Sequence, residues 1–307
     1  MYDAAFRIIR FNPRATVGSA VLVAAAAMAL PVLVTAVLSL TMDLSLGLTS
    51  SGTAMTPQGE PTDLGDALGI LGVLGALVLG VLAQSLGLIL VTGMVAHVTM
   101  AAAVGRRLSL GEAWRATHGA RWRLVGLVVL VGAATSVVVG LYIGLWVVLV
   151  LAVGEPVVLV LFGLVTVPAF LALLVWAWIR VSYLAVPALM LERRGVFGSL
   201  GRAFTLTRRQ FWRTFGIALL TSLITQVASS VLTVPISLLS QLALVLPLFA
   251  GYELLVFVLA QALSTVVAAA FVSPFTAAVT SLQYVDQRMR KEAFDVELMT
   301  RAGITGA

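Results

Sequence analysis

Apolar residues fall in six stretches along this chain, separated by short polar or basic segments. The stretches are about Ala15–Thr41, Asp66–Val104, Leu124–Val153, Pro156–Leu191, Thr214–Leu246 and Leu248–Val285. A transmembrane helix needs about 20 mostly apolar residues, so the pattern predicts six membrane helices. The second, fourth and sixth stretches are long enough to tilt or to project past one surface. Pro31, Pro168, Pro187, Pro235 and Pro274 lie inside them and are read as kinks whose freed backbone groups are satisfied by neighbouring helices. Arg7, Arg10 and Arg14 precede the first stretch, which is too long for the apolar region of a signal peptide, about 7–15 residues. It is read as a retained membrane helix.

A second pattern stands in front of three of the six stretches. Ser199–Gly216, SLGRAFTLTRRQFWRTFG, matches Ser109–Gly126, SLGEAWRATHGARWRLVG. They agree at Ser109/Ser199, Leu110/Leu200, Gly111/Gly201, Ala113/Ala203, Thr117/Thr207, Trp122/Trp212, Arg123/Arg213 and Gly126/Gly216. The N-terminus gives a weaker third copy, with Ala5-Phe6, a basic run and Gly18 in register. Leu200, Ala203, Phe204 and Thr207 share one helical face, as do Leu110, Ala113, Trp114 and Thr117, and Tyr2, Ala5, Phe6 and Ile9. Arginines take the other faces. Such helices lie in the membrane interface with aromatics at headgroup depth. Gly126 and Gly216 are expected to let the chain turn from the surface into the span.

These patterns together predict an all-α polytopic membrane protein. Six transmembrane helices form three parallel-repeat hairpins, each preceded by a cytoplasmic amphipathic interfacial helix and related by rotation about the membrane normal. The reading is a single integral membrane domain over residues 1–307, with repeats at about 1–108, 109–198 and 199–290 and a short cytoplasmic tail at 291–307.

Composition agrees. Hydrophobic residues make up 61% of the chain and charged ones 10%, with a mean hydropathy of +1.09; a soluble domain would be about a quarter charged. All 19 Lys and Arg residues fall before the first stretch, between the second and third, between the fourth and fifth including Arg180, or after the sixth. The other three loops hold only Asp43, Glu60, Asp63, Asp66, Glu155 and Glu253 among charged residues. The positive-inside rule then puts both termini in the cytoplasm. Met42–Gly65 reads as a flexible outer loop. One lysine, Lys291, against abundant Arg, Ala, Val and Gly points to a GC-rich bacterial genome, hence a bacterial cytoplasmic membrane. There is no cysteine, which excludes disulfides, thiolate metal sites and a cysteine nucleophile.

Catalytic motifs are absent: no G-x-x-x-x-G-K-[ST], no H-E-x-x-H, no G-x-S-x-G. No catalytic residue, cofactor or metal ligand is expected. His97 reads as packed and His118 as solvated or facing headgroups. The basic stretches adjoin spans, so the partner they imply is anionic membrane lipid and not nucleic acid. Candidate headgroup contacts are Arg115, Arg121, Arg123, Arg202, Arg208, Arg209 and Arg213, each contributing about 1 kcal/mol near an anionic surface. The alternative is that the basic helices only anchor the bundle and set its topology. The second stretch carries small residues at Gly65/Gly69, Gly72/Ala76/Gly80 and Ala83/Gly87, which serve internal packing or a homo-oligomer face. The fifth carries a polar stripe of Ser222, Thr225, Gln226, Ser229, Thr233, Ser237 and Gln241. A polar cavity could be lined by Gln84, Ser222, Gln226, Ser229 and Gln261; the competing account is hydrogen bonding between helices, about 0.6 kcal/mol each. Arg180, behind Trp176 and Trp178, is expected to snorkel to the inner surface.

The opening YDAAFRIIRFNPRATVG, Tyr2–Gly18, and the closing SPFTAAVTSLQYVDQRMRKEAFDVELM, Ser273–Met299, resemble one family. The residues concerned are Pro274, Tyr284, Asp286, Arg288, Arg290, Glu292, Phe294 and Asp295. The resemblance is to stand-alone bacterial proteins, common in actinobacteria, that look like the membrane domain of glycerophosphodiester phosphodiesterases. It implies a helical membrane module. In those enzymes the chemistry belongs to a separate soluble barrel, so no catalytic residue carries over. Three functions follow as expectations: a non-enzymatic module binding lipid or a membrane protein partner, a small transporter or lipid-translocating protein, and the membrane subunit of a phosphodiesterase whose catalytic domain is another chain.

Overall fold

The computed structural model describes residues 1–41, 85–103, 105–153, 155–245 and 253–292. The Met42–Gly65 loop, Gln84 and all of the small-residue stripe except Gly87 lie outside the described residues. Among those described, the chain is helical and holds no strand. Six helices are long and apolar enough to cross a membrane, which makes this a multi-pass membrane protein.

Helix α1, Tyr2–Phe11, carries an Asp3–Arg7 pair at 3.0 Å on its exposed face and buries Ala5 and Ile8 on the other. It ends at Asn12 because a residue before proline is pushed out of the helical region. Asn12 has φ −129° and ψ 58°, and Pro13 opens α2, Pro13–Thr41. Helix α3 covers Ser85–Ala103 and is followed by Gly105, whose φ of +72° suits glycine. Helix α4, Leu110–Ala116, starts with a reciprocal cap. The Ser109 hydroxyl accepts from the Glu112 N–H at 3.3 Å, and the Glu112 carboxylate accepts from the Ser109 N–H at 2.8 Å. A 3-10 turn, His118–Ala120, leads into α5, Arg121–Val153. Pro156 opens α6, Pro156–Ala177.

The fourth apolar stretch does not continue as one straight rod. A π turn at Trp178–Ser182 breaks it, and its end becomes α7, Ala185–Leu191, where Ala185 through Met190 are all buried. Pro187 therefore sits in the first turn of a new helix, where no intrahelical donor is lost. Helix α8, Val196–Thr207, leads to α9, Phe211–Val245, and α10 spans Glu253–Glu292.

The core lies at the end of the bundle that carries the basic segments. One cluster joins Ala5 and Ile8 of α1, Ala15 and Ala20 of α2, Val91, Met94, Val95 and Val98 of α3, Ala113 of α4, and Phe275, Ala277, Ala278 and Val279 of α10. A second joins Leu124 and Leu127 of α5, most of α7, Ala203 and Leu206 of α8, Ala218 of α9, and Tyr284 and Val285 of α10. Helix α10 is the common wall of both and packs along α9 and α2. Small residues allow that approach: Ala277 and Ala278 are fully buried. At the α2–α3 contact, a Cβ on Gly87 would lie 2.8 Å from Val23 Cγ1.

Helices α5 and α6 behave differently. α5 buries only Leu124 and Leu127, both near its start, and α6 buries nothing. Their own contact rests on a Tyr142–Phe170 stack at 3.9 Å, a Tyr142–Thr166 hydroxyl bond at 3.1 Å and a Trp146–Phe162 edge contact at 5.6 Å.

Candidate functional site

Three corners join a short helix to a long one, and their details locate the basic side chains. Pro13, Arg121 and Phe211 each begin a long helix. Gly18, Gly126 and Gly216 lie five residues further on, inside those helices. The expectation that Gly126 and Gly216 make the turn is thus corrected. The bend is made earlier, at Asn12, at the His118–Ala120 turn, and at Arg208–Gln210, where Arg209 has φ +67°. No atom comes within 4 Å of a Cβ built on Gly18 or Gly216.

The third corner is the most basic. Arg180 from the π turn, Arg209 and Gln210 from the link, and Phe211, Trp212 and Arg213 from the start of α9 surround a pocket of about 480 Å³. The Arg180 guanidinium lies over the rings of Trp176 at 5.6 Å and Phe204 at 4.9 Å. Its Nε is buried without a hydrogen-bond partner, as is Gln210 Oε1. Trp212 is 79% exposed beside them, its ring meeting only Phe211 and Phe215 of its own helix among the described residues. No described carboxylate lies within ion-pair distance of Arg180, Arg208 or Arg209.

Arg202 turns the other way. It was expected to face headgroups, but its side chain is only 16% exposed and pairs with Glu192 at 2.9 Å and with Glu292. The reason is Glu192, just past α7. Its carboxylate accepts from Arg202, from Arg194 at 2.6 Å and from the Tyr284 hydroxyl, with Arg288 at 3.6 Å. Arg288 also pairs with Glu292 at 3.0 Å. Burial pushes the Glu192 carboxyl up, but the bonds from Tyr284, Arg202 and Arg194 outweigh it and hold the group below the ordinary carboxylate range. Burial pulls Arg202 down, and its bonds to Glu292 and Glu192 more than offset that, so it is held more firmly charged.

Lys291 completes this clasp. Its ammonium donates to the carbonyls of Thr205, Leu206 and Arg208 at 3.1, 2.7 and 2.9 Å, capping the end of α8. Deeper in, Gln287 Nε2 donates to Thr214 Oγ1 at 2.8 Å, with both residues buried. Sequence reasoning quoted Tyr284, Asp286, Arg288 and Glu292 only for a resemblance and missed this role. The signal was present: Tyr284, Arg288 and Glu292 repeat every four residues and so share one helical face.

The remaining predicted arginines divide. Arg213 binds Asp286 at 2.9 Å. Arg123 donates to the carbonyls of Arg193 at 2.8 Å and Gly119 at 2.9 Å, tying the start of α5 to the α7–α8 link. Arg121 donates to the Trp114 carbonyl at 3.0 Å and stacks over its ring at 3.9 Å. Arg115 is exposed and donates to Gly111 O at 3.3 Å on its own helix. Arg208 and Arg209 are exposed. Each described carboxylate at this end has an arginine partner: Asp3, Glu112, Glu192, Asp286 and Glu292. Phe6, Trp114 and Phe204 are 42%, 43% and 43% exposed, so the three short helices present an aromatic to the same degree. Phe6 nonetheless leans on protein, 5.0 Å from the Phe275 ring. His97 Nδ1 is 3.1 Å from Gly93 O, and His118 is exposed. No group of His, Asp or Glu suited to a metal occurs among the described residues.

The polar stripe of α9 lines a second cavity, of about 460 Å³, between α2, α3, α9 and α10. Gln226, Ser229 and Gln261 line it as expected. Ser222 does not: it lies one turn away, exposed, and donates to Leu219 O at 2.7 Å. Gln84 is outside the described residues. Compared with known proteins, the chain matches no family model, no curated protein and no solved structure, so the likeness of its opening and closing segments to the phosphodiesterase membrane domains has no support from these comparisons.

Proposed function

We propose that this chain is a non-enzymatic module of a bacterial cytoplasmic membrane, with both termini cytoplasmic, that holds anionic lipid against its basic end. The observation carrying this reading is the third corner. Arg180 and Arg209 open onto one pocket without a carboxylate partner among the described residues, beside exposed Trp212. A lipid phosphate supplies the missing anion, and an indole at headgroup depth suits the glycerol region. In the same reading the three corners are copies of one unit, a short interfacial helix feeding a hairpin. The common starts of α2, α5 and α9 and the matched exposure of Phe6, Trp114 and Phe204 support it. A small lipid-translocating protein is the second reading, favoured by the cavity beside α9.

Retention of anionic and zwitterionic lipid by native mass spectrometry tests the first reading. Arg208→Gln with Arg209→Gln should lower anionic-lipid retention and leave zwitterionic lipid unchanged, with a loss that shrinks at high salt. Equal retention by parent and variant overturns the lipid role. Cysteine labelling tests the orientation: Ala116 and Thr205 should report inside and Ser51 outside.

A further inference from the structure

We infer that the cavity between α2, α3, α9 and α10 is a binding site for an uncharged lipid with a hydroxyl-bearing head. Its two walls differ in kind. On α9, Gln226, Ser229, Thr233 and Ser237 face it, and on α10, Gln261 and Ser264. Opposite stand Ala20, Val23, Ala27 and Met28 of α2, with Leu88 and Val91 of α3. Its volume of about 460 Å³ lies within the range of small-molecule pockets, about 300–1,000 Å³. Leu88, Gln226 and Gln261 are exposed, so it is open to the surroundings of the bundle.

The polar wall is not used up by the protein. Thr233 donates to Ser229 O at 2.9 Å, Ser237 to Val234 O at 2.9 Å and Thr265 to Gln261 O at 2.9 Å. These bonds stay within one helix and leave the hydroxyl oxygens free to accept. Among the described residues no hydrogen bond carries this stripe across to α2, α3 or α10, so hydrogen bonding between helices does not account for it. The Gln226 and Gln261 amides have no hydrogen-bond partner among the described residues. Gln226 lies near the middle of α9, inside an apolar span, where bulk water is not at hand. An amide there without a partner is costly.

The lining chooses the ligand. Among the described residues it contains no ionisable side chain. A phosphate or ammonium head would enter low-dielectric surroundings with no counter-charge. A head bearing hydroxyls donates to the Ser and Thr oxygens and both gives to and accepts from the amides. Its chains lie along the α2–α3 wall. Diacylglycerol has this chemistry and serves as the probe.

The test places the full-length chain in phosphatidylcholine vesicles with diacylglycerol carrying a photoreactive acyl chain. Crosslinks are mapped by mass spectrometry. They should concentrate on residues around Val23, Met28 and Leu88 and be competed by unlabelled diacylglycerol but not by phosphatidylglycerol. Gln226→Leu with Gln261→Leu should reduce them at least five-fold without lowering the unfolding temperature, since both side chains are exposed and bond to no described residue. Crosslinks spread equally over α5 and α6, or unchanged in the double variant, overturn the site. The chain has no native cysteine, so Ser229→Cys supplies a clean second readout. Labelling of that cysteine by a membrane-impermeant thiol reagent, undiminished by diacylglycerol, would mean a water-filled path and also overturns the proposal.

Discussion

Helices α5 and α9 enter the bundle alike and end up in opposite environments. Each follows a short helix with a fully buried alanine, Ala113 or Ala203, and a fully buried threonine, Thr117 or Thr207. Each carries an exposed tryptophan at its second position, Trp122 or Trp212. Beyond that point α5 and α6 stand almost wholly uncovered, whereas α9 packs along α10, which also packs along α2. Hydropathy accounts for part of the difference. The α5 and α6 spans score 2.6 and 2.8 against 1.8 for α9. Hydrocarbon solvates Val and Leu fully, so nothing drives α5 and α6 inward; the small residues of α10, and the Thr214 and Thr221 hydroxyls of α9 that meet Gln287 and Tyr2, do better against other helices. The short helices differ as well. α4 is capped locally by Ser109 and Glu112, while α8 is fastened from outside by Glu192, Arg288, Lys291 and Glu292.

The largest expected effect breaks that fastening. Glu192→Gln should destabilise the protein by about 1.5–3 kcal/mol, because it removes the charge shared by a half-buried ionic cluster. Glu112→Ala on α4 should cost much less, because it removes one arm of an exposed cap. Thermal unfolding in detergent measures both; equal losses would erase the distinction between the two corners.

Acidification should act on the same fastening. The folded state holds the Glu192 carboxyl below its ordinary value. Its stabilising effect is therefore fully present above the unfolded carboxylate pKa of about 4.3 and is lost as pH falls through the lower folded value. Arg202 is raised and stays charged throughout this window, so it adds no pH dependence there. Hydrogen exchange should show α8 and the end of α10 opening on acidification ahead of α5. Simultaneous opening would show that Glu192 does not govern the corner.

Packing gives the next contrast. Ala278→Leu, at a fully buried position of α10, should cost about 1–3 kcal/mol by overpacking. Leu151→Ala, 81% exposed on α5, should change stability by no more than about 0.5 kcal/mol. A large loss at Leu151 would mean that α5 meets a protein partner there. Smallest is Gly216→Ala, which should stabilise by about 0.5–1 kcal/mol, as expected for a helix interior with open space around the new Cβ. A loss instead would restore Gly216 as a turning point.

The sequence alone determined the six apolar helices, because spanning length and hydropathy are properties of a segment and need no neighbour. It also placed a short helix ahead of three of them, since helical spacing acts within a few residues, but it put the turns at Gly126 and Gly216, which lie inside the long helices. It named Gln226, Ser229 and Gln261 for a cavity that they do line. Only the tertiary structure decided which arginines are spent inside the protein. Arg202 and Arg209 lie on one basic stretch and look alike in sequence; Glu192, which follows α7, turns Arg202 inward and leaves Arg209 at an open pocket. The π turn that breaks the fourth stretch was equally hidden, because a buried α7 and an uncovered α6 are both apolar throughout. Apolarity reports what a segment avoids, water, and is silent on whether lipid or protein replaces it.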